Sequence, residues 1–305
     1  MKGRLTASKR ISLSASVALT MALSLWGSPT LAGDPFRQTN PHNIGAKTEA
    51  AFEAIFRKGN YKEAKNYLVE ADRTEASEPL AYAIRASIAY TEKDWEALKI
   101  YASKTLETAE QLKESDPVRG NLYVAVGHFL EGAYIYKQQQ DPVSALTKLQ
   151  QVFQYLDAAE ENAPEDPELN LVKGYLDLML AVNLPFSSPE QAIDRFEQFA
   201  APTYLVDRGL AVAYRDLKQY DKALPFAEKA LEAAPENPEL QYLTGQILRQ
   251  QGKKNQDLEL MKQAFSYYEQ ALAKQEQLPE SILISLRHER EVLQQEMNDF
   301  GGNRS

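Results

Sequence analysis

One echo along the chain constrains its fold more than any other feature. Ala163-Pro-Glu-Asp-Pro-Glu-Leu169 leads into Gly174, and Ala234-Pro-Glu-Asn-Pro-Glu-Leu240 leads into Gly245. Each matched pair lies 71 residues apart, which is about two units of 34 with a small insertion. Two prolines three residues apart after an Ala-rich stretch have a physical use. The first ends a helix, and the second enters the first turn of the next, where its missing N–H costs nothing. Asp166 or Asn237, just before that second proline, can cap the new helix. Units of this kind bury their apolar faces only against their neighbours, so they stack into one continuous solenoid.

The rest of the chain agrees. From Ile44 onward it is rich in Ala, Leu, Glu, Gln, Lys and Tyr, with Val and Thr sparse. Apolar residues recur at spacings of three and four, as in Leu224, Ala227, Ala230 and Leu231, the mark of amphipathic helices. Leu210, Ala211 and Tyr214 fall on one helix, followed by Tyr220, Ala223, Ala230 and Pro235. Small residues at these offsets let paired helices approach, and the aromatics fill the gap beside them. The pattern over 204–237 resembles the tetratricopeptide repeat. Pro225 departs from it and is expected to bend the second helix. Gly59-Asn60-Tyr61 with Ala64 repeats the turn signature. Lys93-Asp94-Trp95 does so with Ala97 one residue early, and Gln138 to Asp141 with Ala145 marks a third turn. Insertions fall at Asn183-Leu-Pro-Phe-Ser-Ser-Pro189, before Ala192 and Phe196, and between Gly252 and Ala264. The expected fold is all-α: an α-α superhelical solenoid of tetratricopeptide-like helix pairs, about six of them, over 44–297. A final helix begins near 280. Residues 33–43 are expected to be a flexible lead-in and 298–305 a disordered tail.

The amino terminus has a different character. Lys2, Arg4, Lys9 and Arg10 precede an uncharged stretch from Ile11 to Trp26. Gly27-Ser28-Pro29 then breaks any helix, and Thr30-Leu31-Ala32 ends on a small residue. This is the order of a secretory signal, with cleavage expected after Ala32; an uncleaved anchor is the alternative. The chain has no cysteine, so neither a lipidated cysteine nor a disulfide framework is possible. Residues 1–32 hold four basic and no acidic side chains. Their removal leaves 30 basic against 43 acidic side chains and takes the net charge from −9 to −13. That argues against nonspecific nucleic-acid binding, which depends on displacing counterions with Lys and Arg, and against docking on anionic lipid.

Three further segments are more particular: Ser115-Asp-Pro-Val-Arg-Gly-Asn-Leu-Tyr123, Gly127-His-Phe-Leu-Glu-Gly-Ala-Tyr134, and Asp166 to Tyr175 running on to Asn183-Leu-Pro-Phe186. Together they resemble an exported tetratricopeptide family of cyanobacteria without an assigned biochemical role. The resemblance implies a periplasmic or thylakoid-lumen setting, and it brings no catalytic residues.

Catalytic signatures are sparse. His42, His128 and His288 are far apart, and none has a His or Cys neighbour at ligand spacing, so no metal site is expected. Nor is a cofactor implied, since nucleophile elbows and phosphate-cradling glycine loops are lacking. His128 and Glu131 share a helix face and could act as a base with its helper, or simply pack. His288 sits on a charged, solvated helix face. The carboxylate pairs follow from the acidic composition.

Binding has a clearer location. In a tetratricopeptide solenoid the first helix of each pair lines a concave groove. The resemblance places Tyr175, Arg208, Arg215, Tyr242, Gln246 and Arg249 on that wall, where they could hold an extended peptide and its carboxylates; alternatively, the arginines pair with nearby acids. Val212 stands where the carboxylate-clamping relatives carry Asn, so that partner class is not expected. Leu184 and Phe186 in the insertion offer a second contact, unless they tuck under their loop. The expected function is a monomeric, non-catalytic scaffold or adaptor that binds other proteins or extended peptides in the periplasm or thylakoid lumen. The alternative is a small-ligand binder or enzyme using the His128–Glu131 face.

Overall fold

The computed structural model describes residues 33–183 and 189–302. The signal-like segment and the insertion residues Leu184 and Phe186 lie outside them. Thirteen α-helices and no strand occur among the described residues. They run as α1 (Ala46–Phe52), α2 (Tyr61–Thr74), α3 (Pro79–Glu92), α4 (Trp95–Leu112), α5 (Pro117–Tyr134), α6 (Pro142–Asn162), α7 (Pro167–Asn183), α8 (Glu190–Gln198), α9 (Thr203–Asp216), α10 (Tyr220–Ala233), α11 (Pro238–Asn255), α12 (Leu258–Leu272) and α13 (Glu280–Gly302). Antiparallel neighbours form six pairs, α1/α2 through α11/α12, and α13 packs on α12. The expected all-α solenoid of helix pairs is the fold. The last helix continues past 297 to Gly302, and Pro225 sits inside an unbroken α10.

The two helices of a pair differ for a reason visible in their side chains. First helices are buried on most sides: in α3, Leu80, Ala81, Tyr82, Ala83 and Ile84 are consecutive buried residues. Second helices bury a single stripe, such as Leu98, Ala102, Thr105 and Ala109 of α4. The solenoid therefore has an inner layer of helices buried on most sides and an outer layer of amphipathic ones.

Caps and turns set the phase of the repeat. Glu78, Asp116 and Asn237 cap α3, α5 and α11, each followed by a proline at the first helical position. Asp166 accepts from the Leu169 N–H at 2.8 Å ahead of Pro167. Both caps read from the echo are thus present. Within pairs, the turn uses a left-handed residue: Gly59 (φ 64°), Lys93 (61°), Gln140 (55°), Lys218 (60°) and Gln256 (54°). Asn60, Asp94, Asp141 and Asp257 then cap the second helices.

The glycines of the echo have a packing role. A Cβ on Gly174 would stand 2.7 Å from the Phe196 ring, and one on Gly245 would stand 2.6 Å from the Tyr268 ring. Each glycine lets an aromatic of the second helix lie flat on the first.

The solenoid curls back on itself. Asn237 Nδ2 donates to the Phe56 carbonyl at 3.0 Å, and Gly59 lies directly against Asn237 and Pro238. Farther along, α2 meets residues 275–277 and α13 reaches α3. The first pair therefore closes against the last pair, and α13 reaches the second.

Residues 33–43, expected as a flexible lead-in, contain no helix but are held by specific contacts. The Asp34 carboxylate accepts from the N–H groups of Phe36 (2.8 Å) and His42 (3.0 Å), which folds the segment into a strap. Phe36 is buried edge-on against Phe52 at 5.0 Å. Arg37 pairs with Asp166, and His42 Nδ1 lies 2.7 Å from Asp116 Oδ2. The strap therefore crosses the amino-terminal ends of α5 and α7 by engaging their capping carboxylates.

Candidate functional site

The curled inner layer does not fill its own centre. It leaves a half-open cavity of about 440 Å³ between α1, α3, α5, α6, α7 and α9. Its wall is almost wholly hydrocarbon, for example Phe52, Ile84, Val126, Leu156 and Leu176. This size is within the range of small-molecule sites.

One end is closed by the strap's Phe36 and by a buried charge cluster. Arg119 of α5 donates through Nη2 to Glu78 Oε1 (2.9 Å) and through Nε to Glu168 Oε2 (3.2 Å). Tyr123 donates to the other oxygen of Glu168. Burial pushes the Glu168 carboxyl above the ordinary carboxylate range, although Arg119 and Tyr123 pull the other way. Burial lowers the Arg119 pKa, but Glu168 and Glu78 outweigh it, and the guanidinium is held firmly charged. A buried cation between two buried carboxylates is satisfied only while all members remain.

The six groove residues read from the sequence divide into two groups. Tyr175 and Arg208 line the cavity. Tyr175 donates to the Leu205 carbonyl at 2.8 Å and meets Phe196 edge-on, and burial pushes its phenol up to about 12. Arg208 donates to Glu239 at 2.7 Å. The other four lie farther along the inner layer. Arg215 donates to Asp216 and Gln246, both at 2.9 Å. Tyr242 and Gln246 both donate to Glu289 of α13, at 2.7 and 3.0 Å. Arg249 takes Glu296 of α13 in a two-pronged pair, both bonds at 2.9 Å. Thus α13 lies on the wall of α11, and all three arginines have acids of this same chain as partners.

The His128–Glu131 face is also engaged. Lys148 of α6 lies 2.6 Å from the Glu131 carboxylate and 3.5 Å from His128 Nδ1, tying α5 to α6. Hydrogen bonding from His128 holds the Glu131 carboxyl below its usual range. His128 stacks near Tyr155 at 5.6 Å and is not part of the cavity wall. His288 is exposed. Among the described residues no three His, Asp or Glu side chains converge as a metal site, and no helix is long and apolar enough to cross a membrane.

Two features escaped the sequence reading: the strap and the cavity. Phe36 is a lone aromatic in a stretch without periodicity, and nothing in its spacing shows what it covers. The wall residues have the same three-and-four spacing as any packed helix face. Arg37 and His42 were the available signal, since both nitrogen-bearing side chains lie in a short segment facing helices that start on Asp-Pro.

Comparison with known proteins agrees with the regular part of this architecture. No curated protein matches the chain. The tetratricopeptide repeat family matches residues 200–284. That stretch contains α9 to α12, including the regular unit at 204–237, and over it the chain is similar to the tetratricopeptide repeat, a fold that generally mediates protein–protein interaction.

Proposed function

We propose that this chain is a non-catalytic protein-binding scaffold, exported as a monomer, that helps to assemble or hold a complex of the envelope or thylakoid lumen. The observation that carries the reading is an unpartnered apolar stripe on α6. Val143, Leu146 and Phe153 are 74%, 56% and 38% exposed. They fall within about 80° of arc on a helix that advances 100° per residue. The stripe has a structural origin. α6 runs for 21 residues, but α8 for only 9. α7 and α8 hold α6 near its carboxyl-terminal end, where Lys173 and Arg195 both reach Glu160 at 2.7 Å. Beyond its pair partner α5, the amino-terminal half of α6 has no packed neighbour among the described residues. Large apolar side chains exposed together mark protein contact surfaces.

The tetratricopeptide similarity at 200–284 supports a binding role, and the amino-terminal order of basic, apolar and small residues supports export. The resemblance to the exported cyanobacterial family supports the periplasm or thylakoid lumen as that compartment. The test is affinity capture from the exported fraction with the wild-type chain and with Leu146→Glu/Phe153→Ser. Proteins enriched by the wild type and lost from the variant, with unchanged helicity, support the reading. Equal enrichment by both would refute the α6 surface.

A further inference from the structure

We infer that the central cavity is a binding site for a single hydrocarbon chain, of the kind found in long-chain fatty acids and lipid tails. This goes beyond the scaffold reading and does not depend on it.

The size of the void is the first argument. Protein interiors pack as densely as organic crystals, with few voids larger than a water molecule. An engineered cavity of about 150 Å³ lined by Leu, Ile and Phe stays dry and takes up benzene. The present cavity, at about 440 Å³, is nearly three times that size. Scaled from the six carbons of benzene, it has room for on the order of eighteen carbons.

The chemistry of the wall is the second. Five side chains with polar groups reach it: Ser87, Tyr123, Glu168, Tyr175 and Arg208. Each already has a partner within the protein. Ser87 donates to the Ala83 carbonyl at 2.9 Å, Tyr123 to Glu168, Tyr175 to the Leu205 carbonyl, and Arg208 to Glu239, while Glu168 also accepts from Arg119. A polar ligand atom inside the cavity would exchange water for hydrocarbon without compensation, which is costly. A hydrocarbon chain has no such cost and restores the dispersion contacts that an unfilled wall lacks.

The third argument is access. At the closed end sit Phe36, Leu80 and Glu168, all buried. Ser87 of α3 and Phe129 of α5 line the cavity and are also exposed to solvent. This places the mouth between α3 and α5. A chain entering there leaves its polar head in water beside Ser87 and runs its tail toward Phe36.

The experiment uses purified protein freed of lipid on a hydrophobic resin and titrated with a fluorescent polyene fatty acid of eighteen carbons. The expected result is saturable binding of one probe per chain, displaced by palmitate. Ser87→Trp places an indole across the exposed mouth, and Ala125→Phe fills the wall. Each is expected to weaken binding at least tenfold, with helicity checked by circular dichroism. Ser87→Trp is at an exposed position and keeps the test valid should Ala125→Phe fail to fold. A second arm offers phosphatidylcholine vesicles. Chain transfer from the vesicles identifies a membrane-lipid tail as the source, and binding of free fatty acid alone identifies the free acid. No saturable binding by the wild type, or binding by a folded Ser87→Trp within twofold of wild type, overturns the inference. The α6 variant Leu146→Glu/Phe153→Ser should bind the probe normally, so failure of the scaffold reading and failure of this one remain distinguishable.

Discussion

Arg119→Met removes the cation that holds the buried cluster beneath the cavity. The Arg119 and Glu168 side chains are 3% and 1% exposed, so solvent cannot replace the lost partner. Methionine keeps much of the aliphatic volume, so the packing change is small. What remains is Glu78 and Glu168 without a counter-charge. Breaking a buried pair in this way costs about 3–5 kcal/mol. At about 2–4 °C per kcal/mol for a chain of this class, the midpoint of thermal unfolding should fall by roughly 6–20 °C. The pH dependence has a definite sign. Glu168 already titrates above its ordinary range because burial outweighs the pull of Arg119. Without Arg119 it must rise further. A carboxyl with a raised folded pKa contributes stability below its unfolded pKa and loses it as pH rises through the folded pKa. The penalty should therefore be smallest in acid and grow toward neutral pH. Urea unfolding followed by circular dichroism at acid and slightly alkaline pH measures both quantities, and adding Glu168→Gln to Arg119→Met should recover part of the loss. A penalty under about 1 kcal/mol, or one that does not change with pH, would refute the claim that charge burial dominates this cluster.

Other outcomes follow from local geometry. Lys218→Gly should raise stability by up to about 1 kcal/mol in denaturant titration, because a left-handed φ costs an L-residue about 1–2 kcal/mol and glycine returns part of that as unfolded-state entropy; the same change at Lys229, inside α10, should destabilise by about 1 kcal/mol. Gly209→Ala should cost about 1–3 kcal/mol, since its Cβ would stand 2.6 Å from the Phe196 ring, and Phe196→Leu in the same chain should cost less than additively. Asp116→Ala should cost about 1–2 kcal/mol at neutral pH as the cap of α5 is lost. Burial raises the Asp116 pKa, but bonds from His42 and the Arg119 N–H outweigh it and hold the carboxyl below its usual range. Its stabilisation is thus present above the unfolded carboxylate pKa and lost as pH falls through the folded one, so the difference between wild type and variant should shrink in acid.

Much of the fold was legible because the repeat writes local physics into local sequence. Asp166-Pro167 and Asn237-Pro238 announce helix starts through chemistry that acts within three residues. Gly174 and Gly245 announce close helix contacts because only a missing Cβ admits Phe196 and Tyr268. The site was less legible because its residues are brought together by curvature, which no short window contains. Glu289 and Glu296 look like ordinary acids of a solvated helix, yet they lie on the wall of α11 and take up Tyr242, Gln246 and Arg249. The α6 surface did leave a trace. Val152, Leu156 and Ala159 form its buried stripe, whereas Val143, Leu146 and Phe153 form a second, exposed one. A second apolar stripe exceeds what one amphipathic face requires.

The placement of charge then decides what kind of recognition is left. The arginines that could have gripped a peptide's carboxylates instead pair inward: Arg208 with Glu239, Arg215 with Asp216, and Arg249 with Glu296. Arg37 of the strap likewise takes Asp166. Arg208 and Arg249 join neighbouring helices, Arg215 stays within α9 through Asp216 and reaches α11 through Gln246, and Arg37 ties the strap to a helix end, so their removal should loosen the solenoid before it alters any contact with a partner. The two surfaces argued for binding, the α6 stripe and the cavity wall, are both hydrocarbon. Complex formation at such surfaces is driven by removing apolar area from water and lacks the steering that salt would screen. Capture through the α6 stripe should hold or strengthen between low and high ionic strength, whereas recognition by the inner arginines would weaken steeply. Repeating the affinity capture across a salt series separates the two, and a partner released by moderate salt would return the contact surface to the arginine-bearing wall.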